Sequence, residues 1–185
     1  TEIHCQYVTF LANNASVAIE RAQMTREIIL RMIRMAELRD PKETGAHVNR
    51  VGAYSIEIYD RIAKKRGESP EIIRRTKDHL RIAAMLHDVG KVAISDTILK
   101  KPARLNEEEF KIMQTHCASG ADLFEGNVSD LDKLSTQIAL THHEKYDGSG
   151  YPNGLEGKLI PLPGKIVALA DVYDALISKR VYKEE

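Results

Sequence analysis

The sequence contains no tryptophan, only two cysteines and no excess of either charge. Its 27 basic side chains are balanced by 27 acidic ones, which argues against a protein that coats DNA or binds membranes through a polybasic surface. Cys5 and Cys117 lie too far apart in the chain to suggest a metal-binding pair or a disulfide framework, so we expect a reducing, cytoplasmic compartment. No apolar run reaches the roughly 18 residues of a membrane span, and no segment has the pattern of a signal peptide.

The sequence does contain enough apolar residues for a core, and an unusual number of histidines. Hydrophobic residues occupy 43% of the 185 positions, which is sufficient for one domain of ordinary size with an appended helix. The same composition argues against disorder and against a collagen-like fold. The first residue is Thr1 and not Met, so we expect a fragment of a longer protein. The seven histidines are the feature that needs an explanation.

Apolar residues follow a strict 3-4 spacing between residues 8 and 36. Eight of the nine positions are apolar, over about four heptads, which is typical of a coiled coil. Two interpretations are open: a connector helix that dimerises and transmits a signal, or a long helix packed on its own domain. We assign residues 1–38 to this helix and 39–185 to a separate domain. The nine positions are Val8, Leu11, Ala15, Ala18, Ala22, Thr25, Ile29, Met32 and Ala36.

The rest of the sequence predicts helices joined by loops that contain glycine and proline. Apolar residues at helical spacing predict a helix from about residue 43 to 65. Ser69 followed by Pro70 indicates the start of the next helix, which we expect to stop at Gly90. No alternating pattern of useful length predicts a strand, so the predicted fold class is all-α. Later helix starts are predicted at Asn106, at Ser129 or Asp130, and at Pro163.

Five of the seven histidines fall at the ends or on the faces of these helices. They are His47, His87, His116 (inside the helix that starts at Asn106), His142 and His143. Carboxylates accompany them: Glu43 precedes His47 by four residues, and Asp88 adjoins His87. A further pair, Asp171 and Asp174, is three residues apart, which places both on one helix face. Imidazole and carboxylate without thiolate favour iron, manganese or zinc in a hydrolytic or redox site over a structural zinc site.

An aspartate that adjoins a histidine can bridge two cations, which then share a hydroxide. Such a pair of metals stabilises the attacking and the leaving oxygens of a displacement at phosphorus.

Two other catalytic or binding motifs are incomplete in this sequence. Gly90-Lys91 is followed by Val92, so it is not a phosphate-binding P-loop, and position 147 is Asp where a zincin helix needs a second histidine.

Three longer stretches closely resemble the HD-GYP subfamily of the HD-domain metal-dependent phosphohydrolases. They are His87-Asp88-Val89-Gly90-Lys91, His142-His143-Glu144-Lys145-Tyr146-Asp147-Gly148 and Gly150-Tyr151-Pro152. The resemblance extends from about residue 39 to 183. It implies an all-helical HD-domain bundle that hydrolyses the bacterial second messenger cyclic di-GMP to pGpG, or on to GMP, behind a sensor or receiver domain. It also implies two or three divalent ions, of which iron and manganese are expected.

The resemblance further implies two groups of metal ligands, with Asp88 bridging two ions. With Asp88, the groups are His47, His87 and Asp171 on one side and His116, His142 and His143 on the other. Glu43 matches a position that adds a ligand for a third metal in some members of the family.

Other residues correspond to groups that contact the substrate. Lys91, which we group with Asp88 as catalytic, resembles the family lysine that approaches the scissile phosphate. Tyr151, Arg180 and Lys183 resemble the groups that hold the dinucleotide. Asp174 is placed with this substrate-binding group, and is expected to support the site or to contact the metal at Glu43. Members of the family usually continue past residue 183, which leaves open whether this sequence ends inside the domain.

Three functions are compared. The leading hypothesis is a cyclic di-GMP phosphodiesterase that acts by attack of a metal-bridged hydroxide on phosphorus, expected as a homodimer through its N-terminal helix. The second is a catalytically weak nucleotide-sensing or adaptor domain, which would have no need of a complete ligand set. The third is an HD phosphohydrolase for another cyclic dinucleotide, such as cyclic GMP-AMP. The sequence does not separate the first function from the third. The metal ions would cleave the phosphodiester bond in either case, and the loops would select which dinucleotide binds.

Overall fold

The structure, a computed structural model, describes residues 2–40, 45–126 and 129–178. Within these ranges it contains helices and no strand, so the all-α prediction is confirmed. The α-helices are α1 (Glu2–Glu37), α2 (Gly45–Lys65), α3 (Pro70–Met85), α4 (Asp96–Leu99), α5 (Glu107–Gln114), α6 (His116–Asp122), α7 (Asp130–Thr141) and α8 (Leu162–Ile177). Two short 3-10 turns cover Val89–Ala93 and Gly157–Leu159.

The chain divides into two compact units, Thr1–Met35 and Ala36–Glu185. The first unit is formed by α1, so the long N-terminal helix is confirmed. Its apolar stripe is solvent-exposed at positions such as Val8 and Leu11. The division of the chain into a signalling segment and a phosphohydrolase domain stays a prediction.

The core of the second unit is built from four helices. α2 packs against α3 and α8, and α7 packs against the same two helices. Each helix contributes fully buried side chains, among them Val51, Leu80, Ile138 and Val167. Burial of these apolar faces is the main favourable contribution to folding. It also fixes the relative positions of the helices near whose ends the histidines lie.

Local capping interactions confirm the predicted helix starts. The Ser69 hydroxyl accepts a hydrogen bond from the backbone N–H of Ile72, at 3.4 Å. Asn106 and Glu109 form a reciprocal capping box, with both hydrogen bonds at 2.8 Å. The Ser129 side chain caps α7. Each cap satisfies backbone N–H groups that the first turn of a helix leaves without partners.

The prediction that the helix after Ser69 stops at Gly90 is wrong. α3 ends at Met85, and both His87 and Asp88 lie in the turn that follows. The reason is tertiary packing, because Gly90 lies directly against α6. A Cβ at position 90 would lie 2.0 Å from the carbonyl oxygen of His116. This close approach brings the His87-Asp88 turn next to His116.

The prediction that the helix starting at Asn106 extends through His116 is also wrong. The helix that starts after Asn106 ends at Gln114, and His116 is the first residue of α6. The Thr115 hydroxyl between them donates to the Ile112 carbonyl at 2.7 Å. The break turns the chain so that the His116 side chain is buried beside Asp88.

A second close approach sets the other side of the site. A Cβ at Gly164, near the start of α8, would lie 2.1 Å from the Thr141 hydroxyl at the end of α7. The end of α7, which leads into His142, is therefore held against the helix that carries Asp171.

Candidate metal centre

The first cluster of potential metal ligands contains Asp88, His116, His142 and His143. One ligand atom from each lies within 4.8 Å of all the others. Asp88 Oδ1 is 3.0 Å from His116 Nε2 and 3.4 Å from His142 Nε2. The two Nε2 atoms are themselves 3.5 Å apart. Three of the four residues are buried and His143 is half-buried, so the cluster is a nearly closed set of donors.

Backbone hydrogen bonds fix the orientation of these imidazoles. His116 Nδ1 donates to the Met113 carbonyl at 2.6 Å, and His142 Nδ1 donates to the Ile138 carbonyl at 3.0 Å. Because a carbonyl oxygen can only accept, the Nδ1 atoms carry the protons. In a neutral ring the Nε2 lone pair therefore faces the cluster, which is the arrangement usual for metal-binding histidines.

The second cluster contains His47, His87 and Asp171, again with ligand atoms within 4.8 Å of one another. His47 Nε2 is 3.4 Å from Asp171 Oδ1. The His87 ring is oriented in the same way as His116 and His142, because its Nδ1 donates a hydrogen bond to the Ala84 carbonyl at 2.7 Å. The three side chains come from α2, from the turn after α3 and from α8.

Asp88 joins the two clusters. Its Oδ2 atom lies 3.2 Å from His87 Nε2 in the second cluster, while its Oδ1 atom faces His116 and His142 in the first. One carboxylate thus contacts both groups through different oxygens. This is the placement that a ligand bridging two cations requires.

Charges in the first cluster suit a cation. Burial would raise the pKa of Asp88, but Lys91 and the surrounding histidines hold it well below its usual value. Burial and the neighbouring His142 lower the pKa of His143 to about 2. Burial opposes protonation of His116 as well, yet Asp88 raises the pKa of that ring to about 9. A divalent cation at the cluster would displace that proton.

Asp174 lies behind the second cluster, and its partner Arg50 was missed by the sequence analysis. Asp174 Oδ2 is 2.7 Å from His47 Nδ1, and Arg50 Nε donates to Asp174 Oδ1 at 2.6 Å. Burial opposes ionisation of Asp174, but Arg50 and His47 lower its pKa to about 2. Asp174 is only 1% exposed, so it orients His47, and we do not expect it to contact a substrate as first assigned. Arg50 could have been selected from the sequence because it is three residues after His47, and residues at this spacing lie on the same helix face.

Tyr151 and Lys91 lie beside the first cluster. The Tyr151 ring lies against the His143 ring, tilted by 32° and with 4.6 Å between ring centroids, and burial raises the pKa of its phenol. The Lys91 ammonium is 2.8 Å from Asp88 Oδ2. Phe110 was not selected from the sequence. Its ring packs edge to face against Tyr151, with 5.9 Å between ring centroids, and the residue is 44% exposed.

A buried carboxylate anchors the loop that carries Tyr151. Glu144 Oε1 accepts a hydrogen bond from the Asn153 N–H at 2.8 Å, and Oε2 accepts one from the Leu155 N–H at 2.9 Å. Because Glu144 directly follows His142 and His143 in the sequence, the ligand-bearing turn and the Tyr151 loop are held together. Glu144 lies within one of the motifs quoted above, but no role was assigned to it from the sequence.

Three predicted site residues lie outside the described residues: Glu43, Arg180 and Lys183. Their assigned roles stay predictions. The seven other predicted metal ligands are all brought into the two clusters.

The comparison with protein families decides the classification. A family model described as HD domain matches residues 8–185. The chain belongs to the HD-domain family. The His-Asp pair from which the resemblance was drawn is the pair at the junction of the clusters, and the HD-GYP resemblance is confirmed.

Curated relatives of this HD domain are phosphodiesterases by name. A 3'3'-cGAMP-specific phosphodiesterase 2 of Vibrio cholerae is 40% identical over 99% of this chain and 33% of its own length. The cyclic di-GMP phosphodiesterase response regulator RpfG of Xanthomonas campestris is 42% identical over 89% and 41%. A cyclic di-GMP phosphodiesterase of Thermotoga maritima is 45% identical over 80% and 38%. The chain thus spans between a third and about two fifths of the length of these relatives.

Within the described residues, no helix combines the length and the hydropathy needed to cross a bilayer.

Proposed function

We propose that this chain is a metal-dependent phosphodiesterase that hydrolyses a cyclic dinucleotide, with cyclic di-GMP as the first candidate and pGpG or GMP as the product. The observation that carries the proposal is Asp88, whose two carboxylate oxygens face two separate groups of histidine and aspartate donors. The names of relatives that match most of the chain support the same chemistry.

The donor set suits divalent iron or manganese. Both clusters combine imidazole with carboxylate and contain no thiolate, which favours these hydrolytic metals over a structural zinc ion. His47, His87 and Asp171 would hold one ion and His116, His142 and His143 the other, with Asp88 shared. When bound, such ions activate the attacking water and stabilise the oxygens at phosphorus. A third ion at Glu43 is an additional part of the proposal.

The chain's own residues act on the substrate around this centre. Lys91 supplies a positive charge beside Asp88, where it offsets the negative charge of a phosphate oxygen. The Tyr151 phenol is protonated at neutral pH, and burial raises its pKa further, so it can donate a hydrogen bond to the dinucleotide. The edge-to-face Phe110 adds a half-exposed ring on which a purine base can stack. Arg180 and Lys183 are proposed to hold the second phosphate.

Cyclic GMP-AMP is the second candidate substrate. A relative whose name specifies 3'3'-cGAMP matches 99% of the chain, which favours including this dinucleotide in the assay. Both dinucleotides present the same phosphodiester linkage to the clusters, so the choice depends on base contacts outside them. The adaptor hypothesis is not favoured, because two clusters with seven histidine and aspartate donors serve no purpose in a module that only binds a partner.

Three further features belong to the proposal. We infer a homodimer through α1, whose apolar stripe has the 3-4 spacing of a coiled coil. We infer a sensor or receiver segment upstream, because the chain spans less than half of its relatives. A cytoplasmic site of action is supported by two cysteines that are free in the structure.

The test is chromatography of the products formed from cyclic di-GMP and from 3'3'-cyclic GMP-AMP by the iron- or manganese-loaded protein. We expect a linear dinucleotide, with or without mononucleotide, from at least one substrate. The Asp88→Asn variant should form none, and His79→Ala should behave like wild type because His79, on α3, belongs to neither ligand cluster. No product from either substrate by protein with a full metal complement would refute the proposal.

A further inference from the structure

The two residues Arg39 and Asp40 follow the end of α1 and contact the segment that carries Lys91. Arg39 donates through Nη1 to the Val92 carbonyl and through Nη2 to the Ile94 carbonyl, the latter at 3.0 Å. Its Nη2 also reaches the Asp96 carboxylate, so one guanidinium holds the backbone on the C-terminal side of Lys91 at several points.

Asp40 contacts the side chain of the same lysine. It is only 4% exposed, and its Oδ2 atom lies 3.5 Å from Lys91 Nζ. Lys91 Nζ is also 2.8 Å from Asp88 Oδ2, so the ammonium lies between two carboxylates that come from different parts of the chain. A lysine side chain has four flexible bonds, and fixing its ammonium requires partners on more than one side.

We propose that Asp40 is a positioning residue for Lys91, and that Arg39 fixes the backbone from which Lys91 extends. The proposal rests on the proposed function, in which the Lys91 ammonium faces a phosphate oxygen of the dinucleotide. It gives a role to the segment between α1 and the ligand clusters, to which no role was assigned from the sequence.

Asp40 is needed because the Asp88 carboxylate also interacts with the ligand clusters. The Asp88 carboxylate faces histidines of both clusters and would be shared with cations there. Asp40 belongs to neither cluster, and its carboxylate lies within ion-pair distance of the Lys91 ammonium. Arg39 is required for a separate reason: its hydrogen bonds end on carbonyls of Val92 and Ile94, and they hold the turn itself. Position matters here because a displacement of about 1 Å at a reacting group can cost about a hundred-fold in rate.

The kinetic test compares Asp40→Asn with Asp130→Asn in the full chain. Asp130 is a suitable control because it forms an exposed ion pair, with Arg75, at the far end of α7 from His142. We expect Asp40→Asn to lower kcat by about ten-fold or more with KM changed by less than about two-fold, and with metal content unchanged. The control should change neither constant. An Asp40→Asn variant with wild-type kcat, or one that loses metal in proportion to activity, would overturn the positioning role.

A double-mutant cycle separates positioning from a general structural effect. If Asp40 acts through Lys91, then Asp40→Asn should cause no further loss of kcat in a Lys91→Ala background. Independent losses that multiply would overturn the proposal. If Lys91→Ala itself retained full activity, the failure would lie with the role given to Lys91 in the proposed function.

A measurement without turnover keeps the Arg39 part testable on its own. Hydrogen exchange of the amides between residues 89 and 94 should be faster in Arg39→Gln than in wild type, and unchanged in the control Arg75→Gln. Equal exchange in Arg39→Gln and wild type would overturn the clamp. Faster exchange in a protein that hydrolyses no dinucleotide would refute the proposed function and leave the backbone clamp standing.

Discussion

The carboxylate of Asp174 lies 2.7 Å from the Nδ1 atom of His47, across the interface between α8 and α2. Arg50 holds the same carboxylate from the other side, at 2.6 Å. The pair shows how the fold orients a potential metal ligand through a carboxylate on another helix. The carboxylate accepts a hydrogen bond from the Nδ1–H of His47, and the Nε2 atom faces Asp171 and the cluster.

Replacing Asp174 should therefore weaken metal binding without removing a ligand. In Asp174→Asn we expect metal affinity to fall by about ten-fold to a hundred-fold, because the partner of a ligating histidine contributes that much in metalloproteins. Metal titration with a competing chelator measures the change, and Asp130→Asn is the control. Unchanged affinity in Asp174→Asn would mean that His47 does not depend on this carboxylate.

Changes to the His-Asp pair should eliminate turnover. His87→Ala and Asp88→Ala each remove a donor at the junction of the clusters, and we expect kcat to fall at least about a thousand-fold. Circular dichroism should still show a helical protein, because neither side chain belongs to the apolar core of α2, α3, α7 and α8. Activity retained in either variant by a protein that still binds metal would contradict the assignment.

A change at Phe110 should affect substrate binding more than chemistry. Phe110→Ala removes the half-exposed ring beside Tyr151, and stacking of a base on an aromatic ring contributes about 1–3 kcal/mol. We expect KM to rise about five-fold to a hundred-fold with little change in kcat. Ile112→Ala is the matched control, because Ile112 is an exposed apolar residue of the same helix. Equal KM values in both variants would exclude Phe110 from the substrate site.

The α1 stripe makes a prediction about assembly. Ala22→Glu places a charge at a central position of the 3-4 pattern, and in a dimer the two carboxylates would be forced together, so we expect dissociation to increase at least about ten-fold. Gln23→Glu adds the same charge next to the stripe and should change little. Sedimentation velocity measures both. A wild-type chain that is already monomeric would reject dimerisation through α1.

Local signals in the sequence were sufficient for most helix boundaries. Ser69 and Asn106 cap helices as their residue types predict, because a cap depends only on neighbouring backbone groups. The turn that carries His87 and Asp88 could not be predicted this way. It is set by the contact of Gly90 with the backbone of α6, which is distant in the sequence.

The grouping of the ligands came from family resemblance, and periodicity alone would not have produced it. Helical spacing placed the histidines at helix ends but gave no rule for which ends meet. Arg50 was missed for the same reason, because its partner Asp174 is on the last helix and only the folded chain brings them together. Asp40 carried no motif that would have linked it to Lys91.

Metal analysis of the purified protein after anaerobic reconstitution tests the central claim most directly. The account predicts at least about two equivalents of iron or manganese in wild type, fewer in Asp88→Ala, and about one fewer than wild type in Glu43→Ala if the centre holds a third ion. A wild-type protein that binds none of these metals under reconstitution, while remaining helical, would contradict the account.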